Sequence, residues 1–541
     1  SDWDVSSVTD MSELFKHTSF NDDISNWDVS NVNNMQSMFY GNNHFNQDID
    51  AWNVSNVSNM KEMFMSAVAN TPSFNQDLSN WDVSSVTDMS YMFHGQRVFN
   101  GDISTWDVSN VTDMKKMFLE ANAFNSDISG WDVSKVENME YLLSNAESFT
   151  GDLSDWDVSN VTATNSMFAN SNMSGSLSEW DVSNVTDMHA MFYGTSNSNL
   201  NLSSWDVSKV ERLSNMFKYC PYFNGDISNW DFASAETLGG MFEGATSFNG
   251  DISNWDVSNV EKMPNMFRDA SSFNGDISNW DVSNLTHISN MFYGATNFNC
   301  DLSGWNISSN LRWMKEAFYG ASSFNSDISS WDVSNVEEMQ SMFDGADALS
   351  TNNQCAIHTS FSSNENWPYE WSEFCVEGCT DATAFNYNSE ANIDDGSCIQ
   401  AITQENIHEV VGLWISSPES TEATYGHISG WDVSAVTDMS NLFDNKTTFN
   451  EDISNWNVSN VTDMSYMFHH AESFNYNLNS WDVSSVINMD KMFEDARAFN
   501  QDLNNWDVSN VTSMFSMFLR AVEFDGDISN WDVSSVTSMQ R

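Results

Sequence analysis

Tryptophan recurs along this chain at a near-constant interval, and that interval limits the possible folds more than any other feature. From Trp3 and Trp27 through Trp331, and again from Trp431 through Trp531, it marks 19 copies of one motif. Within each series the spacing is 24 to 26 residues, with one step of 29 before Trp81. The extra residues there, around Ala69-Asn70-Thr71-Pro72, predict a loop bulging from a single coil. A fixed period in this range signals a stack of structural units, none of which can bury its apolar residues alone.

The copy around Trp255 shows what each position is for. Ile252, Trp255 and Val257 fall on the spacing of a leucine-rich repeat, with Val260 where that template often carries Asn. Trp255 and Val257 alternate with polar residues, which predicts a short strand with one face inward. Val260, Met263, Met266 and Phe267 are then spaced by three and four, which predicts one or two helical turns. Ala270 and Phe273 follow in the return segment. The expected fold is an α/β repeat: a leucine-rich-repeat-like right-handed solenoid with a parallel sheet on one face and short helical turns on another. The Met and Phe columns are read as core.

Charge narrows the partners. The 541 residues include 77 acidic and 18 basic ones, a formal net charge of −59. Nucleic acid needs clustered Lys and Arg, and an anionic membrane surface would repel the chain. Acidity on this scale can mean disorder, but 40% of the residues are hydrophobic, so a folded, soluble protein is expected. No apolar run is long enough to span a bilayer.

The recurring string F-N-x-D-I-S-x-W-D-V-S-x-V-x-x-M-x-x-M-F resembles the BspA-like surface-protein repeat, a divergent leucine-rich repeat also found in mycoplasma-type surface lipoproteins. The resemblance covers nearly the whole chain. It implies a secreted or surface-anchored protein engaged in adhesion or cell–cell contact.

The repeat lapses after Leu349 and resumes at Ile428, and four of the six cysteines lie between: Cys355, Cys375, Cys379 and Cys398. Clustered Cys in a Cys-poor acidic chain favours disulfides in an oxidising, extracellular setting over metal ligation. Three pairings are open; order along the chain suggests Cys355–Cys375 and Cys379–Cys398. The expected organisation is a first array of 14 repeats over 1–349 and a segment closing it over 350–375. A small Cys-bounded linker module follows over 376–399, then an N-terminal cap helix over 400–427, then a second array of five repeats over 428–541. In the cap, Ile407, Val410, Val411 and Trp414 give an amphipathic helix with Thr403 as its N-cap. Neither end of the chain carries such a cap, which suggests a piece of a longer protein or ends covered by another copy.

The acidic columns are the sharpest chemical feature. One stands four residues before Trp, as in Asp226, Asp251 and Asp276; another directly follows it, as in Asp256 and Asp281. Stacked carboxylates could bind Ca²⁺ along the ladder. They could instead cap the adjacent turn, and Asn201 and Asn477 in the first column suit a capping role that needs no charge. Asp381, Asp394 and Asp395 offer a second candidate Ca²⁺ site in the linker, against the alternative of a plain turn. Sequons for N-glycosylation occur at Asn53, Asn56, Asn110, Asn160, Asn172, Asn184, Asn201, Asn284, Asn306, Asn445, Asn457, Asn460 and Asn510. They matter only in a eukaryotic secretory pathway. Cys220 falls in an Ala column and should be buried. Cys300 falls in a Gly corner column and should be exposed, a candidate intermolecular thiol.

No catalytic constellation emerges. The ten His are scattered, only His469 and His470 are adjacent, and no nucleophile elbow, zincin or Walker-type string occurs. The residues point to a non-enzymatic extracellular structural protein that assembles with copies of itself or with other surface proteins. The alternative is an adhesin whose solenoid face binds a host protein, a glycan or a neighbouring cell. Variation around Ser171 to Asn201 and Asn306 to Trp313 is the one modest patch that favours the alternative.

Overall fold

The computed structural model describes residues 3–66, 73–197, 200–307 and 309–540; the loop expected at Ala69–Pro72 lies outside them. The chain divides into two compact units, residues 1–374 and 375–541, each with its own continuous hydrophobic core.

Both units are stacks of coils, but the coil is not built as its periodicity predicts. The stretch Ile252–Val257, expected as a strand, is a pair of turns: Trp255 N–H donates to the Ile252 carbonyl (3.2 Å) and Val260 N–H to that of Val257 (2.9 Å). The parallel bridges lie farther on, in a column running Thr237, Lys262, His287, Trp313, Glu338 in the first unit and Asp438, Asp463, Asn488, Ser513 in the second. No α-helix occurs in the described coils. Val260 to Phe267, expected as one or two helical turns, is a chain of turns whose free N–H groups reach the next coil.

The coil of Met114 shows the pattern. Met114, Lys116, Phe118 and Glu120 donate their N–H groups to the carbonyls of Asn138, Glu140, Leu142 and Ser144 in the next coil, at 2.8 to 3.0 Å. Between them Met117, Leu119 and Ala121 close i→i−3 turns at 3.0 to 3.2 Å. Chained turns of this kind bring residues three and four apart to the same side, so they mimic helical spacing in the sequence. A helix would spend its N–H groups internally; here alternate ones are free to bond the neighbouring coil.

Two consequences follow. These four N–H groups point towards the C-terminal end of the stack, whereas on either side of them Thr112 and Ala123 donate back to the Thr87 and Arg97 carbonyls of the preceding coil (2.9 and 3.0 Å). In a β-ladder the direction alternates along the strand. The turns also need left-handed residues at two positions per coil, for example Lys116 (φ 56°) and Glu120 (φ 57°). The second position is Gly at 244, 294, 320 and 345, and Asn or Asp at 145, 170, 269, 445 and 495, the residues that tolerate this region best.

Packing explains the tryptophans. Trp255 is 3% exposed, stacks on Trp280 at 6.1 Å with 7° between planes, and sends its indole N–H to the Ile227 carbonyl of the preceding coil (2.9 Å). The repeat Trp from Trp52 to Trp331 and from Trp456 to Trp506 thus fills the core and ties its coil to the one before it. The Phe column does the same by stacking alone, as in Phe267 on Phe292 at 5.7 Å.

The polarity of the stack dictates its caps. In the first unit α1 (Thr351–Phe361) buries Cys355, Ile357 and Phe361, and the Tyr369 hydroxyl accepts the outward N–H of Phe343 (2.8 Å). In the second unit α2 (Ile407–Ser416) buries Ile407, Val410, Val411 and Trp414, and α3 (Pro418–Tyr425) follows. Here the cap both accepts and donates: Gln404 Oε1 takes the N–H groups of Thr437 and Asp438 (both 2.9 Å). Gln404 Nε2 reaches the Asp438 carbonyl (3.0 Å), while His408 Nε2 lies 2.8 Å from that of Ser440. The residue at the cap position of α2 is Asn406, not Thr403; the Asn406 side chain instead accepts from the Thr403 N–H (2.8 Å).

Candidate functional site

The acidic columns are spent on local turns. Asp251 Oδ1 accepts the Ser253 N–H (3.0 Å) and hydroxyl (2.7 Å), and Asp256 Oδ1 accepts the Ser258 N–H (3.0 Å). Bridge-column residues act alike: Asp113 Oδ1 accepts the Lys115 N–H (2.8 Å). Asn201 keeps the bond to Ser203 N–H (3.3 Å) without a charge. The Ser253 hydroxyl and N–H hold the Asp251 carboxyl below its usual range, and Ser258 does the same for Asp256. A depressed folded value means that the stabilisation is complete above the unfolded carboxyl value of about 3.9 and is lost as pH falls through the folded one. Thermal unfolding followed by circular dichroism should therefore show a melting temperature that drops below about pH 4. At neutral pH the opposite electrostatic effect governs: stacked carboxylates repel, so added NaCl or Mg²⁺ should raise the melting temperature. An unchanged value would remove repulsion as a significant cost.

In the linker, Cys379 and Cys398 form a disulfide. Cys355 and Cys375 are disulfide-bonded as well, which leaves Cys220 and Cys300 as thiols. Two short parallel strands, β1 (Glu377–Gly378) and β2 (Ile393–Asp394), complete the linker module. Its three candidate Ca²⁺ ligands each serve their own turn. Asp381 accepts from the Thr383 N–H (2.8 Å), Asp394 from that of Gly396 (3.0 Å), and Asp395 from that of Ser397 (2.9 Å). Among the described residues no group of three or more His, Cys, Asp or Glu is arranged to hold a metal ion.

Cys220 is buried, its thiol donating to the Phe192 carbonyl (2.8 Å), and burial pushes it up to about 11. Cys300 is half-buried rather than exposed. Its sulfur accepts the Ile277 N–H (3.4 Å) and packs against the core, and burial raises its thiol above the ordinary value. The corner column turns inward enough to shelter a side chain that Gly lacks.

The sequons separate into structural kinds. Asn56, Asn110, Asn160, Asn184, Asn284, Asn460 and Asn510 donate Nδ2 to a Ser carbonyl of the preceding coil at 2.7 to 2.9 Å. Asn172 does likewise to the Glu147 carbonyl (2.5 Å). Asn53 and Asn457, which replace Asp after Trp, cap turns through Oδ1 to Ser55 and Ser459. Asn306 is exposed, and Asn445 sits in the left-handed column at φ 58°.

One ladder escapes sequence reasoning. The Asn after each Phe accepts the N–H of its counterpart in the next coil, as in Asn249 N–H to Asn224 (2.9 Å) and Asn274 N–H to Asn249 (2.8 Å). Its signal was the repetition of Phe-Asn in a column that no turn or core role demands. His469 is a local exception to the pattern, held between coils with Nδ1 2.6 Å from Asp444 and Nε2 3.8 Å from Glu494.

No helix among the described residues is long and apolar enough to cross a membrane. Comparison with known proteins adds a family. No curated protein matches the chain. A solved structure described as "Crystal structure of TLR13-ssRNA13 complex" aligns over 91% of this chain and 82% of that one, at 8% identity and a TM-score of 0.11, too slight a likeness to carry an argument. The family model described as "Mycoplasma protein of unknown function, DUF285" matches residues 1–70, 66–176, 170–269, 250–356, 416–521 and 461–541. The matches leave out 357–415, the stretch where the coils give way to the linker and the start of the second cap. With its coils matched from end to end in both units, the chain belongs to this DUF285 family.

Proposed function

We infer that the protein is a non-enzymatic structural repeat protein of an extracellular or cell-surface setting, and that it assembles with further copies into a layer, fibre or appendage. Uniformity carries this reading. Coil after coil, Trp, Asn, Asp and Ser are committed to the neighbouring coil or to the local turn, and among the described residues no coil gathers an acid, base and nucleophile set. Disulfides in the linker suit an oxidising compartment. The resemblance of the repeat to that of BspA-like surface proteins supports that location. The proposed chemistry requires no cofactor; Ca²⁺, if it acts, would do so by screening or bridging the acidic faces of adjacent copies.

Negative-stain electron microscopy of native material tests the reading. Ordered filaments or sheets are expected. Discrete monomers would overturn assembly and shift the role to an adhesin acting as a single molecule.

A further inference from the structure

Three successive coils of the first unit depart from the rest on their outward face. The bridge column, which elsewhere carries mostly Asp and Asn, here runs Lys262, His287, Trp313. A second outward column runs Arg268, Tyr293, Tyr319. The Arg268 guanidinium sits 4.1 Å above the Tyr293 ring, and Tyr293 stacks on Tyr319 at 4.7 Å with 9° between planes. Trp313 packs edge-on to His287 at 5.4 Å. Trp313 and Tyr319 are 36% and 37% exposed.

Stability does not explain this arrangement. At the bridge position an Asp or Asn caps the turn through its side chain, as at Asp88, Asp113 and Asn138. Trp313 has no acceptor to offer there and exposes apolar surface instead.

Charge is reversed locally as well. Residues 262–269, 287–294 and 313–320 carry three cations (Lys262, Arg268 and Lys315) against two carboxylates (Asp269 and Glu316), in a chain of net charge −59.

We propose that this face binds an anionic glycan. Half-exposed aromatic rings suit the C–H faces of pyranoses, and Lys262, Arg268 and Lys315 pair with uronate or sulfate groups. The site needs only a folded first unit and does not depend on whether copies assemble.

Titration calorimetry of the full chain with a heparin hexasaccharide, a galacturonate hexamer and cellohexaose tests it. At least one of the two anionic oligosaccharides should bind, and cellohexaose should not. Trp313→Asn keeps every charge and restores the capping residue, so it should melt at or above the parent temperature while weakening that binding by about tenfold. Lys262→Gln should weaken it too, whereas Lys135→Gln, on another column, should leave it unchanged. Binding that survives Trp313→Asn intact would reduce the site to nonspecific ion pairing and overturn the proposal, as would equal affinity for cellohexaose or no binding to any of the three.

Discussion

Trp255→Ala is expected to destabilise the first unit by about 3–5 kcal/mol, the usual cost of removing a buried Trp. The indole is 3% exposed, stacked on Trp280 and met edge-on by Phe232 at 4.5 Å, so little around it can collapse into the space. The loss of its bond to the Ile227 carbonyl adds about 1 kcal/mol and leaves that oxygen without this donor inside the core. Chemical denaturation should report the change as a lower midpoint. Trp255→Phe should recover part of the packing but not the bond. Equal midpoints for the Phe variant and the parent would show that the indole N–H contributes nothing.

The second large effect concerns length. Removing Asp226–Gly250, one full period of 25 residues, joins Gly225 to Asp251 and recreates the string Phe-Asn-Gly-Asp-Ile-Ser. Every column stays in register, and a melting temperature near that of the parent is expected. Removing only Asp226–Thr237 puts Trp, Met and Phe columns against polar ones, and the first unit should fail to fold cooperatively. Circular dichroism and limited proteolysis distinguish the two. A cooperative melt in the half-period variant would show that the columns do not need to align.

These expectations draw on what was legible in the sequence: the period, the inward residues and the acidic surface. Trp255, Met263, Met266 and Phe267 are buried in the roles their spacing suggested. Their secondary structure was not legible. Spacings of three and four describe which side chains share a face, and chained turns satisfy them as well as a helix does. The deciding fact is where Lys116 and Glu120 send their N–H groups, which depends on the neighbouring coil and on left-handed backbone at both residues. Glu and Lys give no hint of that conformation; the hints were Gly, Asn and Asp at the second position and, in some coils, Asn at the first, as at Asn215 and Asn265.

The candidate sites were legible to different degrees. Asp-x-Ser reads as a turn, and the columns follow it. Cys300 was misplaced because Gly at a corner suggests an open position, whereas the corner has room for a thiol against Ile277. The aromatic face at Lys262, His287 and Trp313 was half visible as variation near Asn306 to Trp313. Its partner column could not be seen, because Tyr293 and Tyr319 become neighbours only once the coils are stacked.

The run of N–H groups from Met114 to Glu120, all aimed at the next coil, also bears on how the protein is made. A chain leaving the ribosome delivers its N-terminal coils first, at about 5–20 residues per second. Each completed coil presents a row of N–H groups towards the segment still being synthesised, and the next coil brings the matching carbonyls. A new coil arrives every few seconds and meets an oriented, waiting edge, so assembly can advance like a ratchet from first coil to last. Translation order and backbone polarity together give this protein a direction of growth.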